Sequence, residues 1–367
     1  MEEGRVQWEV ANDVQDMDID SGSTCDIYHY DSTQQRKLLD AKPWSRDMNY
    51  FQHVHISALA LLKMTMHARS GGNIEIMGSL QGKLIHRGFI IMDVFPLPVE
   101  GTETRVNAHA DGYEFMVSYQ EQSSHAGRLE NIVGWYHSHP GYGCWLSGID
   151  VQTQRTNQLY QDPFVAIVID PLRTVTKGKV DIGAFRTYPE GFNNNAQHSA
   201  TEFGASSSQT SSQQANKSYQ SIPVNKIEDF GVHCNQYYSL KVSCFKSNLD
   251  STLLDVLWSK YWASIFSSSE LISNREYRKD QINDLNMKLD RAQLQIKRGS
   301  RVGGDMMIGR PSSSSTPAGF MKPYVMPTDR SSQTESVLNT ISNDSEKLAA
   351  EQLQALITLS AKHALFH

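Results

Sequence analysis

Two histidines one residue apart, with an aspartate eleven residues beyond the second, constrain this chain more than any other feature it has. The run His137-Ser138-His139-Pro140 is followed by Ser147 and Asp150, an H-x-H-x10-D pattern that puts two imidazoles and a carboxylate within fourteen residues. That trio is a ligand set for catalytic zinc, which takes three protein ligands and keeps a fourth position for water. A water in that position becomes a nucleophile near neutral pH, its pKa falling from about 15.7 to about 7. The ligand sets of other divalent metals overlap with this one. For the three side chains to meet, the chain must run as a strand, turn through a loop and return as a helix.

The local sequence supports that path. Residues 132–139 have the β-branched and aromatic content of a strand, and Pro140 stops it. Side chains alternate faces along a strand, so His137 and His139 project to the same side. Gly141 and Gly143 mark 140–146 as a loop, and a helical stretch opens near Ser147 and runs to about residue 160. Ser147 and Asp150 also fit a capping box, with Ser147 as N-cap and Asp150 at the third helical position. Capping and metal binding by Asp150 are compatible. A second H-x-H pair, His53-Val54-His55, has Met66 rather than a carboxylate at the matching distance. It precedes a helix over 57–69 and is expected to be a surface or N-terminal turn without a ligand role.

Metal-assisted hydrolysis also needs a group to take a proton from water and return it to the leaving amine. The chain has no H-E-x-x-H helix, so that group must come from elsewhere. The candidate is Glu75, in a strand-like segment over 74–80, with Ile74 and Ile76 expected on one face and Glu75 with Met77 on the other. The competing role for Glu75 is a charge that blunts an edge strand.

These residues resemble a known family. Glu75, His137-Ser138-His139-Pro140, Ser147 and Asp150 match the E…H-[ST]-H-P-x6-S-x2-D signature of the JAMM (MPN-plus) metalloproteases. The likeness extends through Ile74-Glu75-Ile76-Met77-Gly78, Gly134-Trp135-Tyr136-His137 and Tyr142-Gly143-Cys144-Trp145-Leu146. Met48-Asn49-Tyr50-Phe51, Gly183-Ala184-Phe185-Arg186 and Lys226-Ile227-Glu228-Asp229-Phe230-Gly231 are similar to one branch, that of the catalytic subunit of the COP signalosome. The resemblance implies an α/β (α+β) fold, a cytidine-deaminase-like mixed sheet flanked by helices, followed by a smaller C-terminal region ending in helices. It implies that His137, His139 and Asp150 hold one zinc ion, that Glu75 is general acid and base, and that Ser147 hydrogen-bonds the developing oxyanion. The implied substrate is the isopeptide bond between a NEDD-type modifier and a cullin lysine. The implied partners are the other signalosome subunits, especially one with an MPN domain, and neddylated cullin-RING ligases.

The rest of the chain fits such a role. Its 367 residues allow two domains, and a net charge of −6 without basic clusters argues against nucleic-acid binding. Residues 1–20 are acidic and lack the apolar core of a secretory signal. The longest aliphatic-aromatic run, 164–169, is too short to span a bilayer. The cysteines Cys25, Cys144, Cys234 and Cys244 form no C-x-x-C pair, which fits a reducing compartment, cytoplasm and nucleus.

The expected organisation is an N-terminal extension (1–45), a catalytic domain (46–190), a polar linker (191–221), a C-terminal globular and helical extension (222–298), a second linker (299–335) and a partner-docking helix (336–365). Helices are expected at 57–69, 108–125 and 148–160, and strands at 74–80, 84–97, 132–139, 164–170 and 179–187. The charged loop 96–107 holds Glu103 and Arg105. It is either solvated surface or a gate in which Arg105 or Glu103 engages the site, an arginine pairing with Asp150. One helical face over 275–297 carries Ile282, Leu285, Leu289, Ala292 and Ile296, and the last helix carries Leu353, Leu356, Ile357 and Ala361. The last helix suits docking into a bundle contributed by other subunits.

Four other functions compete with this reading. A thiol protease built on Cys144 lacks a His and Asn signature nearby. A nucleobase deaminase requires H-x-E with P-C-x-x-C, which the chain lacks. A non-catalytic MPN scaffold would have lost ligands that this chain keeps. A deubiquitinating JAMM isopeptidase of a proteasome-lid-like complex shares the whole motif.

Overall fold

Five apolar residues in succession, Val165 to Ile169, suit a strand buried on both faces. In a computed structural model of the chain that is where they lie. The structure describes residues 2–16, 29–100, 110–189, 221–246, 248–257, 274–301 and 330–366. They fall into two units, one of residues 1–194, 220–277 and 354–367 and one of 195–219 and 278–353.

The first unit is built on an eight-stranded mixed sheet. Its strands are β1 (Val14–Asp16), β2 (His53–Ser57), β3 (Ile76–Ile85), β4 (Gly88–Glu100), β5 (Asn131–Ser138), β6 (Val165–Asp170), β7 (Asp181–Thr187) and β8 (Tyr237–Lys246). Their order is β1-β8-β2-β4-β3-β5-β6-β7, and β7 also pairs with β8, so the strand order closes on itself. Along β6, Val165, Ile167 and Ile169 join one core cluster while Ala166 and Val168 join the other. The first cluster holds helix α3 (Ala58–Ser70), through Leu61, Leu62 and Met64. The second takes Val151 of helix α5 (Gly148–Gln161), with Met116 and Tyr119 of helix α4 (Ala110–His125) packed against it. The sheet is therefore flanked by helices, as expected.

Several elements depart from the sequence expectations. His53 and His55 lie on β2, not in a turn, and alternate with the buried Val54 and Ile56. His55 Nδ1 and Ser243 Oγ share a 2.6 Å hydrogen bond. The break expected after residue 80 falls instead at His86-Arg87, where Arg87 has φ 58°. Gly82 lies in the expected gap between the two strands but does not break the chain. It sits at a register shift inside β3, where a Cβ would overlap the Ile90 carbonyl oxygen, so it serves a close approach rather than a turn. Glu75 lies just before β3 rather than within it, and Ile74 is 49% exposed while Ile76 is buried, so the two isoleucines do not share a face. Strand β8, from the region expected to form a C-terminal extension, enters the sheet beside β1, β2 and β7.

Four described helices have no counterpart in the sequence expectations: α1 (Glu2–Ala11) and α2 (Ser32–Ala41) near the N-terminus, α6 (Pro171–Lys177), capped by Asp170, and the short helix at Ile227–His233. Helix α7 (Ile227–His233) leads into β8, and α8 (Asn248–Leu257) follows it. Glu103 and Arg105, with most of the loop 96–107, lie outside the described residues, as do most of both expected linkers. No helix among the described residues is long and apolar enough to cross a membrane.

The second unit draws on the long helices α9 (Arg275–Arg301) and α10 (Arg330–Phe366). Lys288 donates to Asp344 at 2.6 Å and Gln281 to Glu351 at 3.2 Å, pairs whose numbers run in opposite directions. The helices are therefore antiparallel, and the last helix is paired with α9. Ala292 and Ile341 are buried. Ile282, Leu289, Ile296, Leu353, Leu356 and Ile357 are 42–60% exposed.

Candidate metal centre

Strand alternation delivers the first ligand. Tyr136 belongs to the α3 side of the sheet and Trp135 to the α5 side, so His137 faces α5, its ring stacked on Trp135 at 4.5 Å between centroids. His139 stands one residue past the end of β5, and its backbone N–H still bonds the Ile169 carbonyl at 2.9 Å. Its side chain therefore keeps the same face. Pro140 and Gly141, with φ 87°, then turn the chain away from the sheet.

Helix α5 brings the third side chain back. Ser147 is its N-cap and forms a complete capping box with Asp150. The Asp150 N–H donates to Ser147 Oγ at 3.3 Å, and Asp150 Oδ2 accepts from the Ser147 N–H at 2.9 Å and its hydroxyl at 2.7 Å. The same oxygen lies 3.3 Å from His137 Nε2 and 3.4 Å from His139 Nε2, with the two Nε2 atoms 3.0 Å apart. Asp150 is thus both cap and member of the cluster. Among the described residues, His137, His139 and Asp150 are the group of buried side chains able to hold a metal ion.

The donor set fits a divalent ion. Ligands on bonds of about 2.0–2.1 Å around a tetrahedral centre lie about 3.3 Å apart, close to all three separations observed. Gly143 O accepts from His139 Nδ1 at 3.0 Å; a carbonyl cannot donate, so Nδ1 carries the proton and Nε2 of the neutral ring offers a lone pair to the cluster. Asp150 Oδ1 and His137 Nδ1 are buried with no hydrogen-bond partner in the structure, a cost that a cation beside the carboxylate would offset.

The electrostatics distinguish the two imidazoles. Burial lowers the pKa of His137, but the Asp150 charge, its hydrogen bond and then Glu75 outweigh burial and raise it overall. At His139 burial wins, and the pKa falls. Burial opposes ionisation of Asp150, yet the two histidines hold its carboxyl well below the usual carboxylate range.

Glu75 reaches the same cluster through sheet register. Met77 pairs with His137 in the antiparallel β3–β5 ladder, which sets Glu75, two residues back, across from His139. Ser138, fully buried, accepts the Ile76 N–H on its Oγ at 3.0 Å and so anchors the segment behind Glu75. The Tyr142 hydroxyl donates to Glu75 Oε1, and the Tyr142 ring stacks on His139 at 4.4 Å.

Glu75, His139, Tyr142, Trp145, Ser147 and Gln152 line a cleft of about 400 Å³, closed on another side by Lys226, Asp229 and His233. That wall is α7 with its preceding lysine. Asp229 accepts the Gly148 N–H at 3.3 Å, Phe230 meets Trp145 edge-on at 5.7 Å, and Lys226 Nζ lies 5.1 Å from the Tyr142 ring centre. The structure thus brings together all five residues singled out by sequence. Sequence reasoning gave no role to Ser138, Tyr142 or the α7 wall; the first two sit inside the recognised motif text, while the wall is set by a fold-level contact.

Residues 49–163 match the family model described as JAB1/Mov34/MPN/PAD-1 ubiquitin protease. Residues 267–367 match the model of the Cop9 signalosome subunit 5 C-terminal domain. The chain is 52% identical over 363 residues to COP9 signalosome complex subunit 5a of Arabidopsis thaliana, covering 99% of this chain and 92% of the relative. It is 49% identical over 360 residues to subunit 5 of Dictyostelium discoideum, covering 98% and 94%. It is 54% identical over 296 residues to subunit 5 of Drosophila melanogaster, covering 80% and 84%. With half its residues identical over nearly its whole length, and both domain models matched, the chain belongs to the COP9 signalosome subunit 5 family, which carries a JAB/MPN domain and a C-terminal domain of its own.

Proposed function

We propose that this chain is a zinc-dependent metalloisopeptidase that removes a NEDD-type modifier from cullin lysines, acting in cytoplasm and nucleus as the catalytic subunit of a COP9 signalosome and so regulating cullin-RING ubiquitin ligases. The observation that carries this reading is the convergence of His137 Nε2, His139 Nε2 and Asp150 Oδ2 within 3.4 Å of one another, beside a cleft that Glu75 also lines. The names of the relatives supply the complex, and the family description supplies the class of reaction.

His137, His139 and Asp150 would hold the zinc ion. When bound, it supplies Lewis acidity at a substrate carbonyl and makes a water ionisable near neutral pH. Glu75, which lines the cleft, takes the proton of the attacking water and returns it to the leaving lysine amine, with the Tyr142 hydroxyl hydrogen-bonded to its Oε1. Ser147 Oγ, placed at the helix N-terminus beside Asp150, turns its hydroxyl toward the developing oxyanion. Lys226 and Tyr142 narrow the cleft, which suits an extended chain end such as a modifier C-terminus. The exposed apolar residues of α9 and α10 are the surface for docking into the other subunits.

The test is metal content together with cleavage of a neddylated cullin, for wild type and His137→Ala, each alone and in the reconstituted complex. Wild-type complex should contain zinc and release the modifier, while the mutant complex, still assembled, should do neither. A zinc-loaded wild-type complex that leaves the cullin intact would sink the substrate assignment. The second reading, a deubiquitinating isopeptidase, rests on the words "ubiquitin protease" in the matched family description, and cleavage of a ubiquitin chain by the same complex would establish it.

A further inference from the structure

The loop that carries His139 does not hold its own shape. Between His139 and Gly143 the chain passes through two left-handed residues, Gly141 at φ 87° and Gly143 at φ 91°. The N–H groups of both glycines point at one side chain, Asp170, at the end of β6. Asp170 Oδ1 accepts from Gly141 N at 3.0 Å and Oδ2 accepts from Gly143 N at 2.9 Å. Asp170 is fully buried.

Capping alone does not explain this side chain. As N-cap of α6, Asp170 needs one oxygen, and Oδ1 does that work by accepting from Leu172 N at 3.0 Å and Arg173 N at 2.9 Å. Oδ2 takes no part in the cap. It is committed to Gly143 and to Arg173 Nε, 3.4 Å away. A serine or asparagine would cap α6 as well, so the second carboxylate oxygen is the part that capping leaves unexplained.

What Oδ2 holds is the peptide that orients the metal cluster. Gly143 donates its N–H to Asp170, and its carbonyl oxygen accepts from His139 Nδ1 at 3.0 Å. The chain of contacts is therefore Asp170 carboxylate, Gly143, His139 imidazole. The groups that orient metal-bound histidines commonly do so through the ring nitrogen remote from the metal, and their loss typically weakens metal binding about ten- to a hundredfold. From these contacts we infer that Asp170 is a positioning residue of the metal centre, fixing through Gly143 the ring orientation and the Nδ1–H tautomer of His139. This inference rests on the proposed metal centre for its purpose, but not for its first test.

That test is long-range ¹H–¹⁵N correlation of the histidine ring nitrogens in the full-length, chelator-stripped protein, which reports tautomers directly. Wild type should show His139 as a single Nδ1–H tautomer. Asp170→Asn, with its one oxygen kept at the α6 cap, sets an NH₂ group against the Gly143 N–H in place of Oδ2. His139 should then populate both tautomers, and zinc should bind about ten- to a hundredfold more weakly by calorimetry. Asp170→Ser is the second variant. It retains the α6 cap with a single oxygen, guards against a global folding failure, and should give the same tautomer change. A folded variant of either kind with one Nδ1–H tautomer and wild-type zinc affinity, and only a lower Tm, would overturn the inference and leave Asp170 as a cap. Should wild type bind no zinc at all, the metal-centre reading fails separately, and the tautomer spectra alone decide whether Asp170 orients His139.

Discussion

At the cluster, a proton and a metal ion compete for the same three side chains, and the competition has a direction. His137 has a raised pKa because Asp150 and Glu75 outweigh its burial, so in the ion-free protein it stays protonated to a higher pH than an ordinary histidine. Zinc must displace that proton. Its affinity should therefore rise with pH, about tenfold per unit, up to the His137 pKa and level off above it. Stability follows the same linkage. The Asp150 share of the ion pair is present above the ordinary carboxylate pKa and is lost as pH falls through its depressed value. The His137 share is present below about pH 6.5 and is lost as pH rises through its raised pKa. The Tm gap between zinc-loaded and chelator-stripped protein should accordingly widen from about pH 6 to pH 8; a gap that narrows would rule this account out. Glu75 is tested differently. Glu75→Gln should keep full zinc content while turnover in the complex falls about a hundred- to ten-thousandfold, as removal of a general acid–base does. Equal turnover would rule out Glu75 as the general acid and base.

Among the elements, strand and helix termini do most of the positioning, and here the sequence was legible in part. The β5 strand, the loop after Pro140 and the helix from Gly148 were readable because alternation, Pro and a Ser-x-x-Asp cap are local signals. Asp170-Pro171 held an equally local signal, an N-cap followed by Pro at N1, and could have revealed α6. The continuation of β3 through Gly82 was not legible, because a close backbone approach and a turn both select glycine. The opposition of Glu75 and His139 was not legible, since it follows from β3–β5 register, a long-range property. On its other side β5 lies just as close to β6, as Gly134 shows. It pairs with Val165 across β5 and β6, and a Cβ there would overlap the Val165 carbonyl oxygen and come within 2.7 Å of Val165 Cγ1. Gly134→Ala should therefore force β5 away from β6, costing about 1–3 kcal/mol in chemical denaturation. Because His137 lies three residues along the same strand, zinc affinity should drop as well. A stability loss with unchanged zinc binding would show that the strand end moves independently of its middle.

For the chain as a whole, the boundary that matters is not where composition changes. Residues 191–221 are polar and low in apolar content, so a catalytic domain ending near residue 190 was the natural expectation. The sheet draws on residues beyond that point. β8 pairs with β2 over five residues, with β7 over four and with β1 over three. Leu240, Cys244 and Phe245 of β8 are buried. Removing it would leave the edges of β2, β7 and β1 without partners and uncover apolar surface, conditions that favour aggregation. The cleft also needs this segment, because Lys226, Asp229 and His233 form one of its walls. All of the metal cluster, its cleft and β8 lie before residue 258, whereas Ile282, Leu289 and Ile296 of α9 and Leu353, Leu356 and Ile357 of α10 are exposed beyond it. A chain cut after residue 257 should therefore remain soluble, bind zinc and fail to join the other subunits. A chain cut after residue 189 should aggregate and show no cooperative melting. Solubility, calorimetric zinc binding and co-purification with partner subunits, measured side by side, check all parts. Cooperative folding of the shorter chain would mean that β8 is an addition to a sheet already complete, and that the closure through β7 and β8 carries little of its stability.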